Sequence, residues 1–176
     1  MVEIKLEGSS LECRNWLKDC LKVFQTVRRM RIEMTSSYKD LPTNVLARTR
    51  GRVSVNRDVD PESLLLKGIS NAKSKRVLHK SFSIEVNSKM KNIRNERLRE
   101  QVVKNVLVHE LMHVERKDIL DLSKSYRRRR RKRVHAGLED EAFKKYSQLR
   151  AIEGLPRIAN RHDLDKAVSK VFERAD

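Results

Sequence analysis

Residues His109-Glu110-Leu111-Met112-His113 place two imidazoles four positions apart inside an apolar run, with Val106-Leu107-Val108 before them and Val114 after. That run narrows the folds open to the chain. Leu98, Val102, Val106, His109 and His113 share one helical stripe, and Val103, Leu107, Leu111 and Val114 share the opposite side. A helix apolar nearly all round is buried, and residues four apart stack on one face. Buried imidazoles need partners. A hydrogen-bonded core pair is one arrangement and a shared metal ion the other. The glutamate between them favours the metal. Asn95 is placed to cap this helix, which is expected to run to about Leu120.

Around it the pattern predicts an α+β domain. Cys13, Leu17, Cys20, Phe24 and Val27 keep three-four spacing, widened by Trp16, Val23 and Met30, so a long N-terminal helix is expected from Ser9 to about Met34. Val45–Val55 and Val77–Val86 alternate as strands, the second more clearly, through Phe82, Ile84 and Val86. Pro61–Ser70, with Leu64-Leu65-Leu66, fits either a short helix or a strand. A third helix is expected after Gly137, from Leu138 to Ile152, stopped by Gly154-Leu155-Pro156. A tail helix follows, from Asp163 to Arg174. The expected architecture is a small twisted sheet of about three strands on the buried histidine helix, as one domain over 1–176. Its parts are an N-terminal helix (1–40), a core (43–153) and a tail (154–176).

No apolar run approaches the roughly 20 residues of a membrane span, and Met1–Lys5 lacks a signal-like stretch. An intracellular (cytoplasmic) protein is expected. Cys13 and Cys20, seven apart on a helix, lie about 10 Å apart along its axis. They are therefore expected as buried free thiols, not as a bridge.

Lysine and arginine number 41 against 24 acidic residues, a net charge of +17. Such an excess suits a polyanionic partner, nucleic acid above all, or a solvated basic surface. The charge concentrates in Arg127, Arg128, Arg129, Arg130, Arg131, Lys132 and Arg133. Seven adjacent cations are expected as a solvated loop or helix end and as the candidate nucleic-acid contact.

A catalytic zinc ion takes three protein ligands and leaves a place for water. With His109 and His113 as two, Glu139 and His135 are the candidates for the third. Glu139 precedes Ala142 and Phe143 by three and four positions, on the predicted apolar face with Tyr146 and Leu149, whereas Asp140 and Glu141 point to solvent. A carboxylate there is costly unless paired or metal-bound. It can also serve as a first-turn carboxylate favoured by the helix dipole. His135 sits just before that helix.

The order of strand, Asn-containing loop, H-E-x-x-H helix and a helix opening Glu139-Asp140-Glu141-Ala142 resembles the minimal gluzincins, small zinc peptidases whose E-x-x-A glutamate is the third ligand. The stretch from Val45 to Leu149 also resembles the SprT-like (Spartan) peptidases. It matches their T-x-G strand at Thr49-Arg50-Gly51 and their Asn-terminated strand at Ser83–Asn87. It departs from them at Glu139, where that family has a histidine before the Phe-basic pair, here Phe143-Lys144. These resemblances imply a zinc endopeptidase, and the SprT-like one implies action on nucleic-acid-bound proteins. Glu110 would be its general base, and Tyr146, Tyr126 or His135 would assist the oxyanion. The Phe82–Val86 strand would rim the cleft and offer a free edge to substrate. The rival reading is a basic nucleic-acid-binding protein with a structural or vestigial zinc site. A latent enzyme is a third: the tail from Ile158 would cover the cleft, with Asp163, Asp165 or Glu173 capping the metal.

Overall fold

Four strands, one more than expected, build a single sheet among the described residues: β1 (Val2–Ile4), β2 (Ile32–Lys39), β3 (Ala47–Asn56) and β4 (Val77–Asn87). The computed structural model describes residues 2–5, 7–56, 77–116 and 124–174, with side chains described outside 53–56, 77–79 and 124–136. Strand order is β1-β2-β4-β3. β1 runs parallel to β2 and β2 parallel to β4, whereas β3 runs antiparallel to β4, with Thr49 opposite Ile84 and Gly51 opposite Phe82. β4 is therefore an interior strand. Among the described residues the free edge expected on Phe82–Val86 is found instead on β3.

The long N-terminal helix is overturned. Its apolar stripe holds only through α1 (Leu11–Cys20), a 3-10 turn (Leu21–Val23) and the short α2 (Gln25–Arg29). Phe24 leaves helical geometry at φ −117°, ψ 66°. From Ile32 the burial period becomes two, with Ile32, Met34 and Ser36 inward and Glu33, Thr35 and Ser37 half-buried. β-Branched Ile32 and Thr35 suit that extended backbone. The segment expected as an N-terminal helix (1–40) thus holds a strand–helix–strand crossover from β1 to β2.

The histidine helix is α3 (Glu96–Glu115), capped where Asn95 accepts a hydrogen bond from the Leu98 N–H at 2.9 Å. The expected extension toward Leu120 falls partly outside the described residues, as does Pro61–Ser70. The next helix, α4 (Lys124–Ile152), starts well before Gly137 and takes the basic run into helix. Of the two expectations, loop or helix end, the helix end holds, since arginine and lysine are good helix formers. Gly154 ends α4 at φ 66°, with Leu155 N–H bonded to Arg150 C=O and Gly154 N–H to Ala151 C=O. This paired closure uses the left-handed conformation that glycine takes without strain. Asn160 caps α5 (Arg161–Glu173), the expected tail helix.

The core lies between one sheet face and the helices. Met34, Phe82, Ile84 and Val86 meet Leu17, Cys20 and Phe24 from one side and Val103, Leu107 and Leu111 from another. Leu138 and Leu149 of α4 and Leu164 and Val168 of α5 extend it. Each such side chain contributes roughly 1.5–3 kcal/mol by burial. Cys13 and Cys20 are free and buried, as expected. Among the described residues no helix is long and apolar enough to cross a membrane.

Candidate active site

Leu107, Val108, Leu111 and Met112 are buried around α3, which leaves Asn105, His109 and His113, spaced by four, as a half-buried stripe. That stripe lines an open cavity of about 1510 Å³ that runs from α3, α4 and α5 past the edge of β3 and onto β4 and β2. The two imidazole centroids lie 5.3 Å apart with the rings at 72°. Glu110 and Glu139 line the same cleft. Two imidazoles and a carboxylate are the ligand types zinc takes, but the three do not converge within 4.8 Å of one another as the side chains stand, with Glu139 held by Arg161.

Glu110 is only 7% exposed. Thr49 on β3 donates its hydroxyl to Glu110 Oε2 at 2.6 Å. Burial pushes the Glu110 carboxyl up to about 6, although hydrogen bonds from the Thr49 hydroxyl and backbone N–H pull the other way. The register explains why that N–H is available. Asn87 N–H bonds Leu46 C=O, which makes 46–87 a hydrogen-bonded pair. By alternation 48–85 and 50–83 are bonded too, and Thr49 turns its N–H and C=O away from β4. The outer edge of β3 therefore meets the glutamate of the histidine helix.

Glu139 differs from expectation. Leu138, Ala142, Tyr146 and Leu149 form the buried stripe of α4, and Glu139 stands beside it with its side chain 42% exposed. Arg161 of α5 holds it at 3.1 Å and also binds Asp140 at 2.7 Å and Asp165 at 3.3 Å. Glu141 pairs with Arg116. His135 lies one turn before Glu139 on α4, but its side chain is outside the described residues. The same holds for Tyr126 and for the side chains of Arg127–Arg133. Tyr146 is removed as an oxyanion donor: its buried hydroxyl donates to the Gln101 carbonyl at 2.9 Å, away from the histidine cleft. Of the proposed tail carboxylates, Asp165 lines the cleft, whereas Asp163 accepts from Asn160 at the start of α5 and Glu173 is exposed near its end.

A second polar cluster lies on α3. Ligand atoms of Asp19, Glu100 and Glu153 all lie within 4.8 Å of one another, a grouping that suits a cation, and it is the one such group among the described residues. Lys104 already supplies that cation, with Nζ at 3.0, 2.6 and 2.5 Å from the three. Burial alone would lower the Lys104 pKa, but the three carboxylates outweigh it and hold it above its ordinary value.

No protein-family model, curated protein or solved structure matches the chain. Sequence reasoning missed Arg161 as the partner of Glu139 and Thr49 as the partner of Glu110. Arg161 carried a faint signal, an Arg at i before Asp165 at i+4. For Thr49 the signal lay only in the T-x-G match, which did not assign it a contact.

Proposed function

We propose that the chain is a zinc-dependent endopeptidase, similar to the minimal gluzincins and SprT-like peptidases. One observation carries the reading: His109 and His113 line one cleft, and the intervening Glu110 is fixed there by the edge strand. His109, His113 and Glu139 would hold the ion, with Glu139 exchanging Arg161 for it. When bound, zinc supplies Lewis acidity toward a carbonyl and brings water's pKa toward about 7.

The chain's own residues supply the rest. An extended peptide adds to the outer edge of β3 through the outward N–H and C=O groups of Ala47 and Gly51 and the C=O of Thr49. This orients the scissile bond between β3 and α3 through main-chain hydrogen bonds. Glu110 accepts a proton from the attacking water and passes it to the departing amine nitrogen. Thr49 keeps that carboxylate aimed at the bond. Phe143, Ala142 and Leu164 give the cleft an apolar wall.

The test is zinc content and casein hydrolysis of the intact chain beside Glu110→Gln, Glu139→Ala and His135→Ala. Glu110→Gln is expected to keep one zinc and lose about 100-fold or more in rate, the usual weight of a general base. Glu139→Ala loses zinc; His135→Ala keeps it. A zinc-loaded wild-type chain that hydrolyses nothing, or a fully active Glu110→Gln, would overturn the reading. The rival, a nucleic-acid-binding protein with a structural zinc, draws support from the net charge of +17 and the run Arg127–Arg133. It requires affinity for oligonucleotides that falls steeply with salt.

A further inference from the structure

We infer that the edge strand selects peptides with acidic side chains at every second position. The inference rests on the peptidase reading for its biological sense, but it stands on its own geometry. Among the described residues β3 is paired on one side only. Alternation puts Thr49 and Gly51 on the sheet face toward α3, and Arg48, Arg50 and Arg52 on the other. The same outer face carries Ser81, Ser83 and Glu85 of β4 beside them.

Glu85 is the organiser. Its carboxylate accepts from Arg48 Nε and, at 3.2 Å, from Arg50 Nε. One carboxylate thus orients two guanidiniums without neutralising both. Arg52 is exposed at the next position of the row. The stripe keeps two positive charges in excess. Arg48 and Arg50 remain 41% and 59% exposed despite their shared partner, so their free N–H groups are open to another acceptor.

A peptide docked as the next strand inherits the same alternation. Residues opposite Thr49 and Gly51 project toward α3 and its histidines. Those opposite Arg48, Arg50 and Arg52 stand beside a guanidinium at cross-strand distance, about 4.5–5.5 Å between Cβ atoms. Aspartate or glutamate at those positions meets opposite charge and a bidentate donor. Lysine or arginine there meets like charge. The selectivity is one of register, distinct from the general attraction of a basic protein for acidic chains.

Fluorescence anisotropy of three labelled dodecapeptides on the intact Glu110→Gln chain tests this, with and without zinc. One alternates Asp with small neutral residues, one has the same composition with the Asp residues contiguous, and one alternates Lys. Expected affinity is about three- to ten-fold higher for alternating than for contiguous Asp, and weakest for Lys. Arg50→Glu with Arg52→Glu is expected to reverse the order of the Asp and Lys peptides. Circular dichroism confirms that this variant folds; if it does not, the single Arg52→Glu change, at an exposed position, is expected to halve the preference or more. Equal affinity for alternating and contiguous Asp overturns the inference, as does tight binding that an oligonucleotide matches and displaces from the same arginines. Casein hydrolysis by the wild type is read separately, so a failure of the peptidase reading is distinguishable from a failure of this one.

Discussion

Helix α3 carries two polar clusters within three turns, and they are finished differently. The Lys104 side chain is 4% exposed, and its ammonium is ringed by three carboxylates from α1, α3 and the end of α4. Five residues on, His109 and His113 line an open cleft with Glu110 and Glu139. Buried charge is tolerated where the chain itself supplies the counter-charge. The Lys104 cluster meets that condition internally, so it reads as structural although its three acids satisfy the spacing of a metal site. The histidine cluster lines space wide enough for a substrate, which is where function is sought. Clustering of ligand-type residues alone does not separate the two cases; a buried cation shared by all three acids does, whereas Arg161 holds Glu139 in a half-exposed pair.

The largest expected effect breaks the first cluster. Lys104→Met leaves Asp19, Glu100 and Glu153 facing one another. Removing one partner of a buried ionic group costs about 3–5 kcal/mol, to be read as a lowered urea midpoint. Millimolar calcium is expected to restore part of that loss in Lys104→Met and none in the wild type, because the change turns the cluster into a cation site. Zinc content and hydrolysis should stay as they were. An unchanged midpoint would show that the ring of carboxylates is not what it is taken to be.

Acid sharpens the same contrast. Burial opposes ionisation of Asp19, but Lys22 and Lys104 outweigh it and hold its pKa below the ordinary 3.8. Burial likewise opposes Glu85, and Arg48 with Arg50 hold its pKa below 4.5. For a depressed carboxylate, the stabilisation is complete above the unfolded value and fades as pH drops through the folded one. Both contributions are thus present at pH 6 and decline below about pH 4.5. Equilibrium unfolding at pH 6, 4 and 3 should show this decline, and in Lys104→Met a smaller share of it, since Asp19 has lost one of its cations. A smaller change again is expected of Asn95→Ala, about 1 kcal/mol for a lost helix cap, with zinc retained.

Much of the frame was legible in the sequence. Strand β4, the capped histidine helix, the Gly154 stop and the tail helix all follow from periodicity and local capping chemistry. The long N-terminal helix did not survive because Ile32 to Tyr38 alternates with period two immediately after a period of 3.6, and short stretches of each overlap at Met30. Strand order is a tertiary property: nothing local in Phe82–Val86 reveals that β3 covers its edge. At the site, His109, Glu110 and His113 were readable because their spacing is a helix property. Glu139 was harder, since its partner Arg161 is 22 residues away in sequence. Thr49 was hidden for the same reason, as it reaches Glu110 across 61 residues.

Arg161 offers the finest test of the open cluster. It holds Glu139 through a pair whose side chains are 35% and 42% exposed. A pair so open to solvent is worth about 0–1 kcal/mol. If Glu139 must leave Arg161 to reach the metal, Arg161→Gln removes that competition, and zinc affinity is expected to tighten by about two- to five-fold. The tail helix should stay docked, because Leu164, Val168 and Phe172 remain buried beneath it. Zinc titration against a competing chelator measures the shift. Unaltered affinity in Arg161→Gln together with full zinc content in Glu139→Ala would remove Glu139 from the ligand set and turn attention to His135, one turn earlier on the same helix. Tighter zinc in Arg161→Gln that disappears in the double variant with Glu139→Ala would tie the effect to this one carboxylate. The histidine cleft would then share with the Lys104 cluster a carboxylate held by the chain's own cation, with one difference: here the cation gives way.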